Sequence, residues 1–189
     1  MKNIQLLLWL LLPTLFMTSC KKEESDNLYI NHRVINMEVI AKVDLTYESG
    51  EVDIDNNGTV DFIVELSLQK FDKSIRLLGF DVGYYSIAKA SSSEDPYITT
   101  NMTASFKIDS TVSDWTQLSF LSFYSNLSSI VDVGYAGKGD VLVGVQFLIN
   151  GKRHFGWLLI NVSADRKHVI VKEVAYDIRP NVGIKAGGK

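Results

Sequence analysis

The chain has 189 residues, with 19 basic and 22 acidic side chains and a formal net charge of −3. This length suits one domain with a sizeable apolar core, and the lack of a basic block argues against a nucleic-acid partner. The only cysteine has no intramolecular partner for a disulfide, so stability must come from the core or from a bound ion.

The chain begins with features of an export signal. Lys2 is the only charge before an apolar stretch that ends in small residues at Cys20. This stretch is shorter than the about 20 residues of a membrane-spanning helix, which predicts a cleaved signal peptide over residues 1–20. Residues 16–20, with the sequence FMTSC, resemble a bacterial lipobox. The resemblance implies that Cys20 is acylated and ties the chain to a membrane.

A charged segment follows the cysteine. Residues 21–28 read KKEESDNL, and such a sequence buries little apolar surface, which predicts a disordered tether. The order of lysine and acidic residues resembles the surface-export signal of Bacteroidota lipoproteins. This resemblance implies the outer face of the outer membrane, whereas a plain solvated linker leaves the protein in the periplasmic leaflet.

Residues 29–189 carry the pattern of a single β domain. Apolar residues alternate with polar ones over residues 39–47 and again over 62–69, the two-residue period of strands with one buried face. Further strands are predicted over residues 75–87 and 97–108, and a short helical turn is predicted at Ser113. Many short strands separated by turns predict an all-β fold, an antiparallel β-sandwich that is jelly-roll-like or related.

The C-terminal part predicts the clearest strand pairing. Asn150 and Gly151 separate the apolar runs 141–149 and 154–162, and Asn-Gly favours the type I′ turn of a β-hairpin. A third run, residues 168–176, follows a polar turn. The three runs predict a C-terminal β-meander.

The one motif with ion chemistry is residues 53–61, DIDNNGTVD. Its oxygen-bearing residues fall at alternate positions, and Gly58 stands where a tight loop has to turn. The pattern predicts a structural calcium site. The predicted ligands are Asp53, Asp55, Asn57, Thr59 through its carbonyl, and Asp61 directly or through water.

Two features separate this loop from an EF-hand. The twelfth position, which is a bidentate glutamate in that motif, is Val64, with Glu65 one residue later, and the residues after Asp61 read as a strand. The pattern instead resembles single DxDxDG loops of extracellular β proteins. The alternative is a turn without an ion, because Asp, Asn and Gly are ordinary turn residues.

Three short motifs near the C-terminus accompany the acidic loop. They are the FGW of residues 155–157, the AYD of residues 175–177 and the IKAG of residues 184–187. Together with the loop they resemble uncharacterised secreted and surface proteins of Bacteroidota. No catalytic residues can be transferred from this resemblance to the present sequence. Gly156 is predicted to mark a bulge or a close backbone approach, and Trp157 and Tyr176 are predicted core residues.

Two functions remain open at this point. The first is a noncatalytic binding or adhesion module whose partner is a glycan or a surface protein. Its ligand face would use aromatic residues of the less regular middle region, namely Tyr84, Tyr85, Trp115 and Tyr124. The second is an envelope glycan hydrolase that uses two carboxylates, which the sequence does not identify.

Overall fold

The computed structural model describes residues 26–43, 47–90 and 97–189. These residues form a short 3-10 helix, Asp26–Tyr29, and otherwise strands and turns. The predicted signal peptide and Cys20 lie outside the described residues, whereas residues 26–28 of the predicted tether belong to the 3-10 helix. No helix in the described part of the chain is long and apolar enough to cross a bilayer. The strands are β1 (Ile30–Ile40), β2 (Tyr47–Val52), β3 (Phe62–Leu68), β4 (Asp72–Gly79), β5 (Tyr85–Ala90), β6 (Tyr97–Thr99), β7 (Lys107–Ile108), β8 (Trp115–Thr116), β9 (Leu118–Ser125), β10 (Val131–Gly134), β11 (Asp140–Ile149), β12 (Lys152–Val162), β13 (His168–Asp177) and β14 (Ile184–Lys185).

The fold is an all-β sandwich, as predicted. Hydrogen-bonded neighbours follow the order β1-β13-β12-β11-β5-β6-β9-β4-β3-β2, so β5 is the strand at which one half of the sheet continues into the other. The pairs are antiparallel apart from β6 with β9. At the junction, buried hydroxyl groups bond to one another, with Ser86 Oγ 2.6 Å and Thr99 Oγ1 2.9 Å from Ser119 Oγ.

The main core lies between the two halves of the sheet. Alternate residues of β3 are buried, from Phe62 to Leu68, while Glu65 and Ser67 between them face away from the core. Alternate residues of β11, from Val141 to Phe147, cover them from the other half. The two-residue period seen in the sequence therefore has its expected cause, which is the burial of one face of each strand.

The C-terminal meander is confirmed. β11 pairs with β12 and β12 with β13, all antiparallel. Asn150 and Gly151 have positive φ angles of 51° and 72°, the combination that a type I′ turn requires.

A second apolar cluster covers the outer face of this meander. Phe155 and Trp157 of β12 point to the side opposite Leu158 and Ile160, so both faces of β12 are buried. The C-terminal segment completes the cluster, and the Trp157 Nε1–H donates to the Gly188 carbonyl at 3.2 Å. The apolar residues of the three C-terminal motifs that meet in this one cluster are Phe155, Trp157, Ala175, Ile184 and Ala186.

Four local predictions were wrong. The run 75–87 is divided between β4, which ends at Gly79, and β5, which begins at Tyr85, and the run 97–108 contains only the short strands β6 and β7 at its two ends. The alternating run 39–47 is not one strand, because β1 ends at Ile40 and β2 begins at Tyr47. The helical turn predicted at Ser113 is absent from the described structure, in which Trp115 and Thr116 form β8 and pair with β5. Tertiary pairing overrides the local capping signal there.

The two ends of the sandwich carry different loops. The loop end gathers the start of β1, the loop 53–61, the turn 80–84, the hairpin turn 150–151 and the segment 178–183. These segments touch, because the Phe80 N–H donates to the Asp61 carbonyl and the Asn181 N–H to the Arg153 carbonyl. The opposite end carries the turns 69–71, 126–130 and 163–167, among which the Asn126 N–H donates to the Phe71 carbonyl.

The structure confirms a close backbone approach at Gly156. A Cβ atom there would lie 2.6 Å from the Ala175 carbonyl oxygen of the neighbouring strand. We expect Gly156→Ala to lower the free energy of unfolding by about 1–3 kcal/mol, because backbone atoms have to move apart. Urea denaturation measures this loss. Ser49→Ala on exposed β2 is the control, and an equal effect in both variants would contradict the packing described.

Candidate functional site

The acidic loop is held between two buried strand ends. β2 ends at Val52 and β3 begins at Phe62, and the two residues are paired and buried. Ile54 inside the loop is also fully buried, so it fixes the loop on the core. Asp53 and Asp55, on either side of Ile54, remain partly accessible.

The Asp53 carboxylate organises the turn of the loop. Its Oδ1 accepts the N–H groups of Asn56 at 2.6 Å and Asn57 at 3.2 Å, and its Oδ2 accepts that of Gly58 at 2.8 Å. Asn56 and Gly58 have φ angles of 62° and 87°, a region that Asn tolerates and Gly adopts freely. The sequence therefore produces a closed loop with its acidic groups turned inward.

Three carboxylates meet in this loop. Asp53, Asp55 and Asp61 each present an oxygen, and these atoms all lie within 4.8 Å of one another. Two unit charges at that spacing repel by about 1 kcal/mol in water and by about 3.5 kcal/mol at an effective dielectric constant of 20. Among the described residues, no Lys or Arg forms an ion pair with any of the three.

Asp61 bears the largest electrostatic cost. It is 1 % exposed, and its Oδ2 accepts the Ile54 N–H at 2.7 Å. Burial raises the pKa of Asp61 to about 7, and the nearby charges of Asp55 and Asp53 add to the rise. Burial also raises the pKa of Asp55. A cation among these oxygens would relieve the repulsion, so the residues present fit a metal ion.

The other two predicted ligands, Asn57 and Thr59, are placed differently from the three carboxylates. Asn57 is next to the cluster, but its Nδ2 donates to Asp55 Oδ2 at 3.0 Å while its Oδ1 accepts the Thr59 N–H at 2.6 Å. Thr59 is exposed. The roles of Asn57 and of the Thr59 carbonyl therefore stay predictions.

The residues at the EF-hand's twelfth position face elsewhere. Val64 is fully buried in the main core. Glu65 points to the opposite face of β3, where it pairs with Arg76 at 2.6 Å and accepts a hydrogen bond from the Tyr47 hydroxyl. Neither side chain reaches the loop, which accords with a single loop rather than an EF-hand.

Arg33 of β1 is a residue of the site that sequence reasoning missed. Its guanidinium donates to the Asp53 carbonyl, to the Ile54 carbonyl at 3.1 Å and to Asn56 Oδ1 at 2.7 Å. Arg33 thus hydrogen-bonds to the backbone of the loop and forms no ion pair with the three carboxylates. No local signal could have found it, because it lies 20 residues before Asp53 in the sequence.

The four aromatic residues predicted for a ligand face are dispersed. Tyr84 packs edge-on against Phe62 of the main core, and its hydroxyl donates to the Leu148 carbonyl at 3.2 Å. Trp115 instead packs on Phe155 in the second cluster.

The remaining two of these aromatics lie on other strands. Tyr85 begins β5, and Tyr124 of β9 lies under the Arg166 guanidinium, 5.6 Å from the centre of its ring. The structure gives Tyr84 and Trp115 separate packing roles and does not bring them onto one surface.

The buried acids outside the loop have basic partners. In the described structure they are Asp109 and Asp177. Asp109 pairs with Lys107 at 2.8 Å, and hydrogen bonds from Lys107 and Thr111 lower its pKa to about 2. Asp177 accepts three bonds from Arg179 at 2.6–2.9 Å. The low pKa of Asp109 makes this carboxyl group a poor proton donor or acceptor for hydrolysis.

Comparison of the chain with protein-family models, curated proteins and solved structures finds no match.

We expect Arg33→Ala to destabilise the fold by about 1–3 kcal/mol, because it leaves the loop carbonyls of Asp53 and Ile54 without their donor. Urea denaturation in the presence of a chelator measures the loss, and hydrogen exchange should rise over residues 53–58. Arg153→Ala is the matched control, since Arg153 is exposed and its guanidinium forms no hydrogen bond or ion pair with the described residues. Equal stability of the two variants would contradict the role assigned to Arg33.

Proposed function

We propose that this protein is a noncatalytic binding or adhesion module of a bacterial envelope, held on the membrane by a lipid on Cys20 and stabilised by one calcium ion in the loop 53–61. The observation that carries the ion is the carboxylate trio, which has no cationic partner among the described side chains. The lipid anchor is supported by the sequence of residues 1–20.

Calcium fits these donors better than other common metal ions. The trio offers hard carboxylate oxygens, and the adjacent Asn57 amide and Thr59 carbonyl can add two more. Calcium accepts six to eight oxygens at variable distances, so waters can complete the set. Zinc and copper favour His or Cys. The trio contains neither.

The site favours a structural role for the ion. The loop joins β2 to β3, and two of its carboxylates, those of Asp53 and Asp61, already hold backbone N–H groups in place. An ion would lock that conformation and offset the cost of keeping Asp61 buried. Removal of the ion should loosen the connection between β2 and β3. It should affect no catalytic group, because the proposed function is noncatalytic.

The proposed cellular location rests on the N-terminal sequence. Acylation of Cys20 would make the membrane one partner, and the KKEE sequence after it favours the outer face of the outer membrane of a Bacteroidota-type bacterium. The second partner would be a glycan or a surface protein. Binding is favoured over the alternative, a glycan hydrolase, because that reaction needs two free carboxylates facing a substrate. Asp109 and Asp177 are each paired with a basic side chain, and the three loop carboxylates are the proposed ligands of the ion.

We expect calcium to raise the melting temperature of the protein relative to the same protein in chelator. An ion at a hundred times its Kd adds about 2.7 kcal/mol, which corresponds to about 5–10 °C for a chain of this size. Asp55→Asn should abolish most of this rise, because Asp55 supplies a ligand but holds little of the loop backbone. Asp114→Asn, an exposed acid elsewhere, is the control.

Magnesium at the same concentration should stabilise less, because it demands shorter bonds and near-octahedral geometry. Identical melting curves of the wild type in calcium and in chelator would show that the loop is an ordinary turn.

We expect Cys20→Ala to abolish acylation and to release the protein from the membrane fraction. Incorporation of a clickable fatty acid in growing cells, followed by intact mass measurement, reports the modification. Protease shaving of intact cells then separates the two leaflets, since only a surface protein is cleaved. A wild-type chain that keeps its initiating methionine and carries no acyl mass would refute the anchor.

A further inference from the structure

The loop end exposes apolar side chains on adjacent segments. Phe80 and Val82 in the turn 80–84 are 56 % and 75 % exposed, and Ile178 and Leu28 beside the start of β1 are exposed as well. Each segment is held in place on the domain, because the Ile178 N–H donates to the Tyr29 carbonyl and Gly83 lies close to the Leu148 side chain. These exposed apolar groups supply the kind of side chain that an interaction surface uses.

Two unpaired cations lie among these apolar groups. Lys152 and Arg153 follow the hairpin turn 150–151 and are exposed, and within the described chain their side chains make no ion pair. The exposed acids at this end include Glu51 and Asp81, and the partly accessible Asp53 and Asp55 of the loop carry charge that the proposed calcium ion would offset. Exposed apolar side chains beside cations that form no ion pair suit the head-group region of a bilayer that contains anionic lipids.

The proposed lipid on Cys20 would bring this same end of the domain toward the membrane, because the segment that joins them is short. Five residues, 21–25, lie between Cys20 and Asp26, and the six steps from Cys20 to Asp26 span at most about 22 Å. The 3-10 helix adds about 8 Å, and β1 then starts at the loop end. With the opposite end on the membrane, Ile30 would lie about 33 Å, the length of β1, from the bilayer. That is slightly more than the about 30 Å that a fully extended tether and the 3-10 helix span together, so the loop end is the end that an unstretched tether brings to the membrane.

We propose that the loop end of the sandwich rests on the anionic lipid surface of the membrane that anchors Cys20, with Phe80, Val82 and Ile178 at the head groups and with Lys152 and Arg153 facing lipid phosphates. The inference rests on the acylation proposed above. It makes the opposite end, which also exposes apolar groups at Leu127 and Ile130, the end that faces outward.

The chain itself offers a matched pair of reporter positions. Because Cys20 is the only cysteine and its thiol would be acylated, Val82→Cys and Leu127→Cys each provide one labelling site, at the two ends of the sandwich. The acylated full chain is reconstituted with calcium in vesicles of phosphatidylglycerol and phosphatidylethanolamine. Each site then carries an environment-sensitive fluorophore, and iodide serves as the aqueous quencher.

We expect a blue shift and a loss of iodide quenching for the label at position 82, and no change for the label at position 127. Lys152→Glu combined with Arg153→Glu, or vesicles of phosphatidylcholine alone, should reverse the shift at position 82. Equal quenching at both positions, or protection at position 127 alone, would overturn the proposal.

Flotation of the vesicles separates the two proposals. A protein that floats and carries acyl mass, yet keeps position 82 in water, retains its anchor and refutes only the docking of the loop end. A protein that carries no acyl mass and stays in the aqueous fraction refutes both.

Discussion

The burial of both faces of β12 is the constraint on which the rest of the structure depends. One face supplies Leu158 and Ile160 to the main core, and the other supplies Phe155 and Trp157 to the cluster under the C-terminal segment. A strand buried on both sides cannot shift its register by one residue without exchanging the two sets of side chains. β12 therefore fixes β11 and β13 beside it, and through β11 it fixes the junction strand β5.

The packing of the strands sets the geometry of the acidic loop. Val52 and Phe62 enter the main core at the two ends of the loop, and Ile54 is buried in the same core. The chain must therefore close within nine residues, and Asp61 is drawn into the interior with its neighbour Phe62. The crowding of carboxylates is a consequence of packing, and a bound cation would relieve the repulsion between them.

Much of the fold follows from local patterns in the sequence. The alternation in β3, the Asn150-Gly151 turn and the C-terminal meander are correct because each depends on residues close together in the chain. The division of the run 39–47 into two strands was missed, since the same two-residue period continues across the break. The helical turn at Ser113 failed because pairing of Trp115 with β5 outweighs a capping signal of about 1 kcal/mol.

The sequence by itself determined that the protein is an all-β sandwich, that its C-terminal strands form a meander and that an acidic loop stands between two strands. Only the tertiary structure decided that Asp61 is buried, that Arg33 binds the loop from another strand, and that the C-terminal motifs meet around Trp157. The physical reason is the range of the interactions. Alternation and turns are set by neighbouring residues, whereas burial and hydrogen bonding between distant strands exist only after the whole sheet has formed.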